Sequence, residues 1–75
     1  MKNLSPKLIL TYIGMDCFDR PVYECDGVMY VDTDPRSYRT PMICTKLYND
    51  FNGEPDVPIK ENIELEFVPK RIIWY

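Results

Sequence analysis

A chain of 75 residues has room for one domain, and at that size folding buries only about 60% of the unfolded surface, so the core is thin. With 45% hydrophobic and 13% aromatic residues it holds enough apolar surface for a globular fold, which excludes a disordered segment. A formal charge of −3 disfavours nonspecific binding to nucleic acid or anionic membrane, and seven Pro, three Gly and no Ala or Gln disfavour long helices.

In chain order, Lys7–Ile13 is apolar on both alternating faces, as a central strand is, and Gly14 ends it. Met15–Arg20 reads as a loop or bulge leading into a hairpin. Asp26-Gly27 between Pro21–Cys25 and Val28–Val31 is a strong two-residue hairpin signal, because both loop residues must take positive φ to match the strand twist. The register then sets Tyr23 opposite Tyr30 and Val22 opposite Val31. Tyr23, Cys25, Val28 and Tyr30 share the candidate core face, while Val22, Met29 and Val31 leave the other face partly apolar. Asp32–Pro41 is a loop, and Met42–Leu47 is a fourth strand. Tyr48–Asp56 is dense in turn residues, with Leu47–Phe51 able to make one helical or 3₁₀ turn closed by Asn52-Gly53. Val57–Lys60 is extended. Ile63–Phe67 alternates, with Ile63, Leu65 and Phe67 inward and Glu64 and Glu66 outward, until Pro69 breaks it. The expected fold is mainly β: residues 1–75 as one antiparallel meander or barrel-like sheet of five to six short strands, with at most one helical turn.

The chemistry is bounded as much by what is missing. There is no His, which removes the commonest general base near neutral pH and the commonest metal ligand. Cys17, Cys25 and Cys44 are an odd, widely spaced set without a Cys-x-x-Cys knuckle, so neither a disulfide framework nor a zinc site is expected. The segment Asp50-Phe-Asn52-Gly53 fails the calcium-loop pattern, since Tyr48 and Ile59 fall at its first and twelfth positions. Pairs such as Asp32 and Asp34, or Glu54 and Asp56, read as solvated turn residues. A thin-cored domain also has difficulty enclosing the pocket of about 300 Å³ that a ligand needs. No catalytic residue, cofactor or metal is expected. Leu8–Ile13 is too short for a signal sequence, and no stretch approaches the ~18 apolar residues of a membrane span, so a cytoplasmic protein with reduced thiols is the expectation.

Charge is distributed in blocks. Residues 16–34 hold six acids and one Arg, residues 49–66 six acids and one Lys, and residues 35–48 only the bases Arg36, Arg39 and Lys46. Most of this is solvated surface. Arg20, the lone base of its block, is expected to meet an acid of the Gly53–Asp56 loop, where Glu54 and Asp56 stand. Arg71–Tyr75 is expected to be an ordered, paired strand beside Leu8–Ile13 or Ile63–Phe67, or against a second copy, because Ile72, Ile73, Trp74 and Tyr75 would otherwise expose an apolar patch.

The ordered set Asp16-x-Phe18-x-Arg20-Pro-Val-Tyr23, Gly27, Asp32-x-Asp34-Pro35, Cys44-Thr45 and Asn49-x-Phe51-x-Gly53-Glu-Pro-Asp56 resembles one of the large polyvalent protein-associated domains. These are small uncharacterised domains of bacterial conjugative elements and phages, also found as short stand-alone proteins in gut Firmicutes. The resemblance covers roughly residues 12–59. It departs at Phe18, Val31 and Asn52, where the family pattern favours Trp, Lys and Asp. No catalytic residue is established for that family, so the resemblance implies a mobile-element accessory module that binds another macromolecule.

The expected function is therefore a non-catalytic cytosolic interaction module that binds another protein or a second copy of itself. Arg20, Glu54, Asp56, Trp74 and Tyr75 are its candidate interaction residues. The alternative is a nucleic-acid-associated accessory protein acting through Arg36, Arg39, Lys46, Lys70 and Arg71.

Overall fold

Asp26 and Gly27 both hold positive φ, 51° and 82°, in a computed structural model that describes residues 7–60 and 62–73. That two-residue turn closes the hairpin between β2 (Pro21–Cys25) and β3 (Val28–Asp32), with Tyr23 opposite Tyr30 and Val22 opposite Val31. Strands β1 (Lys7–Met15), β4 (Ile43–Lys46), β5 (Pro55–Pro58) and β6 (Glu64–Val68) complete one six-stranded sheet in the order β5-β4-β3-β2-β1-β6. The first five strands form an antiparallel meander. The sixth crosses to the far edge and pairs parallel to β1, Leu8 beside Leu65 and Leu10 beside Phe67, so the sheet is mixed rather than antiparallel throughout.

β1 runs two residues past Ile13. A register shift between Tyr12 and Gly14 carries the strand through the glycine and bends it. Gly14 takes φ +142, and a Cβ there would stand 3.3 Å from the Phe51 ring, so the loop after β4 reaches across to cover β1 at this point.

Alternation sorts the side chains into two buried faces. Leu10, Tyr23 and Ile43 form the centre of the inner face, ringed by Leu8, Tyr12, Cys25, Tyr30, Ile59, Leu65 and Phe67. Tyr23 meets Tyr12 and Phe67 edge-on, with centroids 5.8 and 5.1 Å apart. Val28, expected in this core, is exposed at the hairpin tip. Val22 and Val31 on the other face are also completely buried.

Residues Arg71–Ile73 are not a strand. β6 already occupies the place beside β1, and the tail is held by side chains instead. The Arg71 guanidinium donates from Nε to Asp32 Oδ2 at 3.0 Å, from Nη1 to the Arg39 carbonyl at 2.9 Å and from Nη2 to the Asp34 carbonyl at 2.9 Å. The Ile72 N–H donates to the Tyr23 hydroxyl at 2.9 Å, which satisfies the polar tip of the most buried aromatic side chain. Trp74 and Tyr75 lie outside the described residues. Because Asp32 is fully buried, Arg71→Ala strands a desolvated carboxylate and should cost about 3 kcal/mol in urea unfolding. Arg71→Lys keeps the charge but not the fork, and should fall between the two. Unchanged unfolding midpoints for both variants would contradict this anchoring.

Candidate functional site

The loop that follows β1 folds around one carboxylate. Asp16 Oδ1 accepts the Phe18 and Arg20 N–H groups, each at 2.9 Å, and the Asp16 N–H donates to the Arg20 carbonyl at 3.0 Å. This short-range capping holds residues 16–20 in a tight loop. Asp16 Oδ2 is then free for longer-range partners. It meets Lys46 Nζ at 2.5 Å and Arg20 Nε at 2.9 Å, and neither the Asp16 nor the Lys46 side chain is accessible to solvent.

Lys46 stands on β4 with Cys44 on the face away from the inner core, the face where Val22 and Val31 are buried. Its ammonium also donates to the Gly53 carbonyl at 2.9 Å, and the Cys17 N–H donates to Asn52 Oδ1 at 2.9 Å. Loop 16–20, strand β4 and loop 50–54 are thereby tied at one point. Asn49 makes a second tie. Its Oδ1 accepts the Met29 N–H at 2.7 Å and its Nδ2 donates to the Gly27 carbonyl at 2.9 Å, so the turn after β4 is pinned to the tip of the hairpin.

Burial by itself would raise the Asp16 pKa. The hydrogen bonds from Lys46, from the Arg20 N–H and side chain and from the Phe18 N–H outweigh burial and bring it down to about 2. In the neighbouring loop the Arg36 guanidinium holds Asp34 below its ordinary value through hydrogen bonds at 2.7 and 3.1 Å, and Arg36 is raised in turn. Burial pushes the Cys44 thiol up, which keeps it protonated and unreactive.

The expected site residues are partly brought together. Arg20 takes Asp16 as its main partner, while Glu54 Oε1 lies 3.8 Å from its Nη1. Its Nη2 is buried without a partner, and its guanidinium carbon sits 4.9 Å from the centre of the exposed Phe18 ring. Asp56 is exposed on β5 and makes no ion pair with Arg20 among the described residues. Of the five bases offered for nucleic acid, Lys46 is buried, Arg71 is engaged by Asp32, and Arg36 and Arg39 flank Asp34, leaving Lys70 exposed.

Two features were not foreseen in the sequence. The first is Tyr48, which takes φ 58, ψ 18 inside the one-turn 3₁₀ segment Leu47–Asn49 and is 90% exposed. The only signal was the density of turn residues after it. The second is an apolar groove of about 460 Å³ between the two ends of the sheet, with Met42 and Ile43 of the β4 region, Pro58 and Ile59 at the end of β5, and Ile63 and Leu65 of the β6 region on its walls. It is a groove open to solvent rather than an enclosed pocket. A single curled sheet achieves this because its edges are left apart instead of being packed on a second layer. Among the described residues no three His, Cys, Asp or Glu side chains gather as a metal site, and no helix is long and apolar enough to cross a membrane. Comparison with known protein families, with curated proteins and with solved structures finds no match.

The lowered pKa makes stability depend on pH in a definite direction. Asp16 is ordinarily half-protonated near 3.8 and in the folded protein near 2, so its contribution is complete above pH 3.8 and is lost as pH falls towards 2. A shift of that size corresponds to about 2 kcal/mol. Unfolding measured from pH 5 to pH 2 should show this loss, and Asp16→Asn should flatten the curve over the same range. A variant with the same slope as the parent would show that Asp16 is not the group responsible.

Proposed function

We propose that this domain is a non-catalytic module that binds another protein in the cytosol, as an accessory of a mobile genetic element, through the loop face around Phe18, Arg20, Tyr48 and Glu54. The observation that carries the reading is Tyr48. A Tyr in the left-handed region is strained by about 1 kcal/mol or more, and such strain persists where the surroundings over-determine it, often at functional positions. Here Asn49 and the Lys46–Gly53 contact hold the turn from both sides while the ring itself points to water, 90% exposed. Preorganised aromatic side chains ringed by charge are the residues that anchor protein interfaces. On the same face Arg20 lies over the exposed Phe18 ring and 3.8 Å from Glu54, which supplies the charge beside it. The mobile-element assignment rests on the resemblance of residues 12–59 alone.

Tyr48→Gly separates the two roles of this side chain. Glycine adopts the left-handed region without strain, so the variant should be more stable by up to about 1 kcal/mol in chemical denaturation. The same variant should lose at least about tenfold in affinity for a protein co-purified from the native host, as a hot-spot aromatic does. A partner retained in full by Tyr48→Gly, or a capture abolished by nuclease treatment, would overturn the reading, the latter in favour of nucleic acid.

A further inference from the structure

We infer that the outer edge of β6 together with the adjoining groove is a strand-addition site for an extended peptide in which apolar residues alternate with Lys or Arg. This surface is separate from the Tyr48 loop face and stands or falls apart from it. The two edges of the sheet are unequal. β5 begins and ends with proline, Pro55 and Pro58, and proline lacks the N–H that a new strand would need. β6, Glu64–Val68, contains no proline and among the described residues has β1 on one side only, so its outer row of backbone groups is left for pairing.

Side-chain alternation along β6 sets the chemistry of an added strand. Leu65 faces inward and lines the groove, whose opposite wall is built from Ile43, Pro58 and Ile59 at the other end of the sheet. A strand laid beside β6 therefore drops every second side chain into an apolar slot of about 460 Å³, room for two or three aliphatic groups. Its alternate side chains fall beside Glu64 and Glu66, both exposed on the outer face. Glu66 pairs with Lys7 at 2.8 Å, and Glu64 makes no ion pair among the described residues. The strands bordering the gap carry Asp56, Glu64 and Glu66, against Lys60 at the groove wall. Like charges directly opposite one another are unfavourable, so a second β6 about a two-fold axis would set Glu64 against Glu66. The edge thus rejects its own copy and accepts a basic strand, selecting by charge as well as by shape.

The test uses the full chain and four acetylated, amidated heptapeptides. The first is Lys-Ile-Lys-Val-Lys-Ile-Lys. The second replaces each Lys by Glu, the third replaces the central Val by Pro, and the fourth replaces Ile and Val by Ser. The first should bind saturably and slow amide exchange across Glu64–Val68, and the others should bind at least about tenfold more weakly, a difference of 1.4 kcal/mol. Glu64→Lys/Glu66→Lys should weaken the first peptide at least about tenfold, and Glu64→Gln/Glu66→Gln, which keeps the shape of the outer face, should do so to a lesser degree. Equal binding of the proline or serine peptide would reduce the effect to charge attraction and overturn the proposal. So would unchanged affinity in both double variants, exchange protection confined to residues outside β6, or a dimer of the protein alone that buries β6.

Discussion

One buried carboxylate holds the outer face of this sheet together. Asp16 accepts the Phe18 and Arg20 N–H groups on one oxygen and the Arg20 and Lys46 side chains on the other. Taking a carboxylate and an ammonium out of water costs several kcal/mol each, and their attraction offsets this only where the remaining lone pairs and protons are also satisfied. Here every acceptor direction of Asp16 is used, and Lys46 gives a second proton to the Gly53 carbonyl, while Arg20 Nη2 alone is left buried without a partner among the described residues. The arrangement sets the path of loop 16–20, the height of loop 50–54 above β4 and the cover over Val22 and Val31. Removing Lys46 leaves the buried Asp16 with Arg20 as its one charged partner, and removing Asp16 leaves the buried Lys46 ammonium with the Gly53 carbonyl and no counter-charge.

The inner face is closed by a similar device. Arg71 spans Asp32 and the carbonyls of Asp34 and Arg39, and Ile72 caps the Tyr23 hydroxyl. A chain of this size cannot supply a second layer to cover either side of a six-stranded sheet, so loops and a tail do the covering. Loops bring unpaired backbone groups with them, and charged side chains with several donors or acceptors are the economical way to satisfy those groups in a confined space. The same shortage of chain leaves the sheet edges apart and the groove between β5 and β6 open.

Much of the fold was legible because it is local. The Asp26-Gly27 turn, the Tyr23–Tyr30 register and the alternation of Ile63–Phe67 depend on neighbours within a few residues, and each stands as read. Contacts between distant segments left little trace. The parallel pairing of β6 with β1 follows from where the chain can return after β5, which no short window records. Lys46 sits among apolar strand residues, a pattern that demands a buried acid, but six acids in residues 16–34 offered no unique choice. Arg20 was matched on charge to the acids of the Gly53–Asp56 loop; Glu54 does lie 3.8 Å from it, but the backbone of loop 16–20 brings Asp16 closer, at 2.9 Å. The tail read as a strand from its apolar character, yet Arg71 found a fully buried Asp32 and decided its course. Tyr48 was hidden because left-handed φ at a non-glycine residue is imposed by tertiary contacts, here through Asn49.

If the loop face is rigid, the reason is the coupling between Asp16 and Lys46, and coupling is measurable directly. A double-mutant cycle of the parent, Asp16→Asn, Lys46→Met and the combined variant isolates that pairwise energy from the effect of each substitution alone. Asparagine keeps the Oδ1 acceptor for the loop N–H groups, and methionine keeps most of the lysine stem, so the cycle reports on the ion pair. The predicted coupling is about 2–3 kcal/mol, with the combined variant more stable than the sum of the single losses allows. A coupling near zero, with the two losses simply adding, would contradict the account.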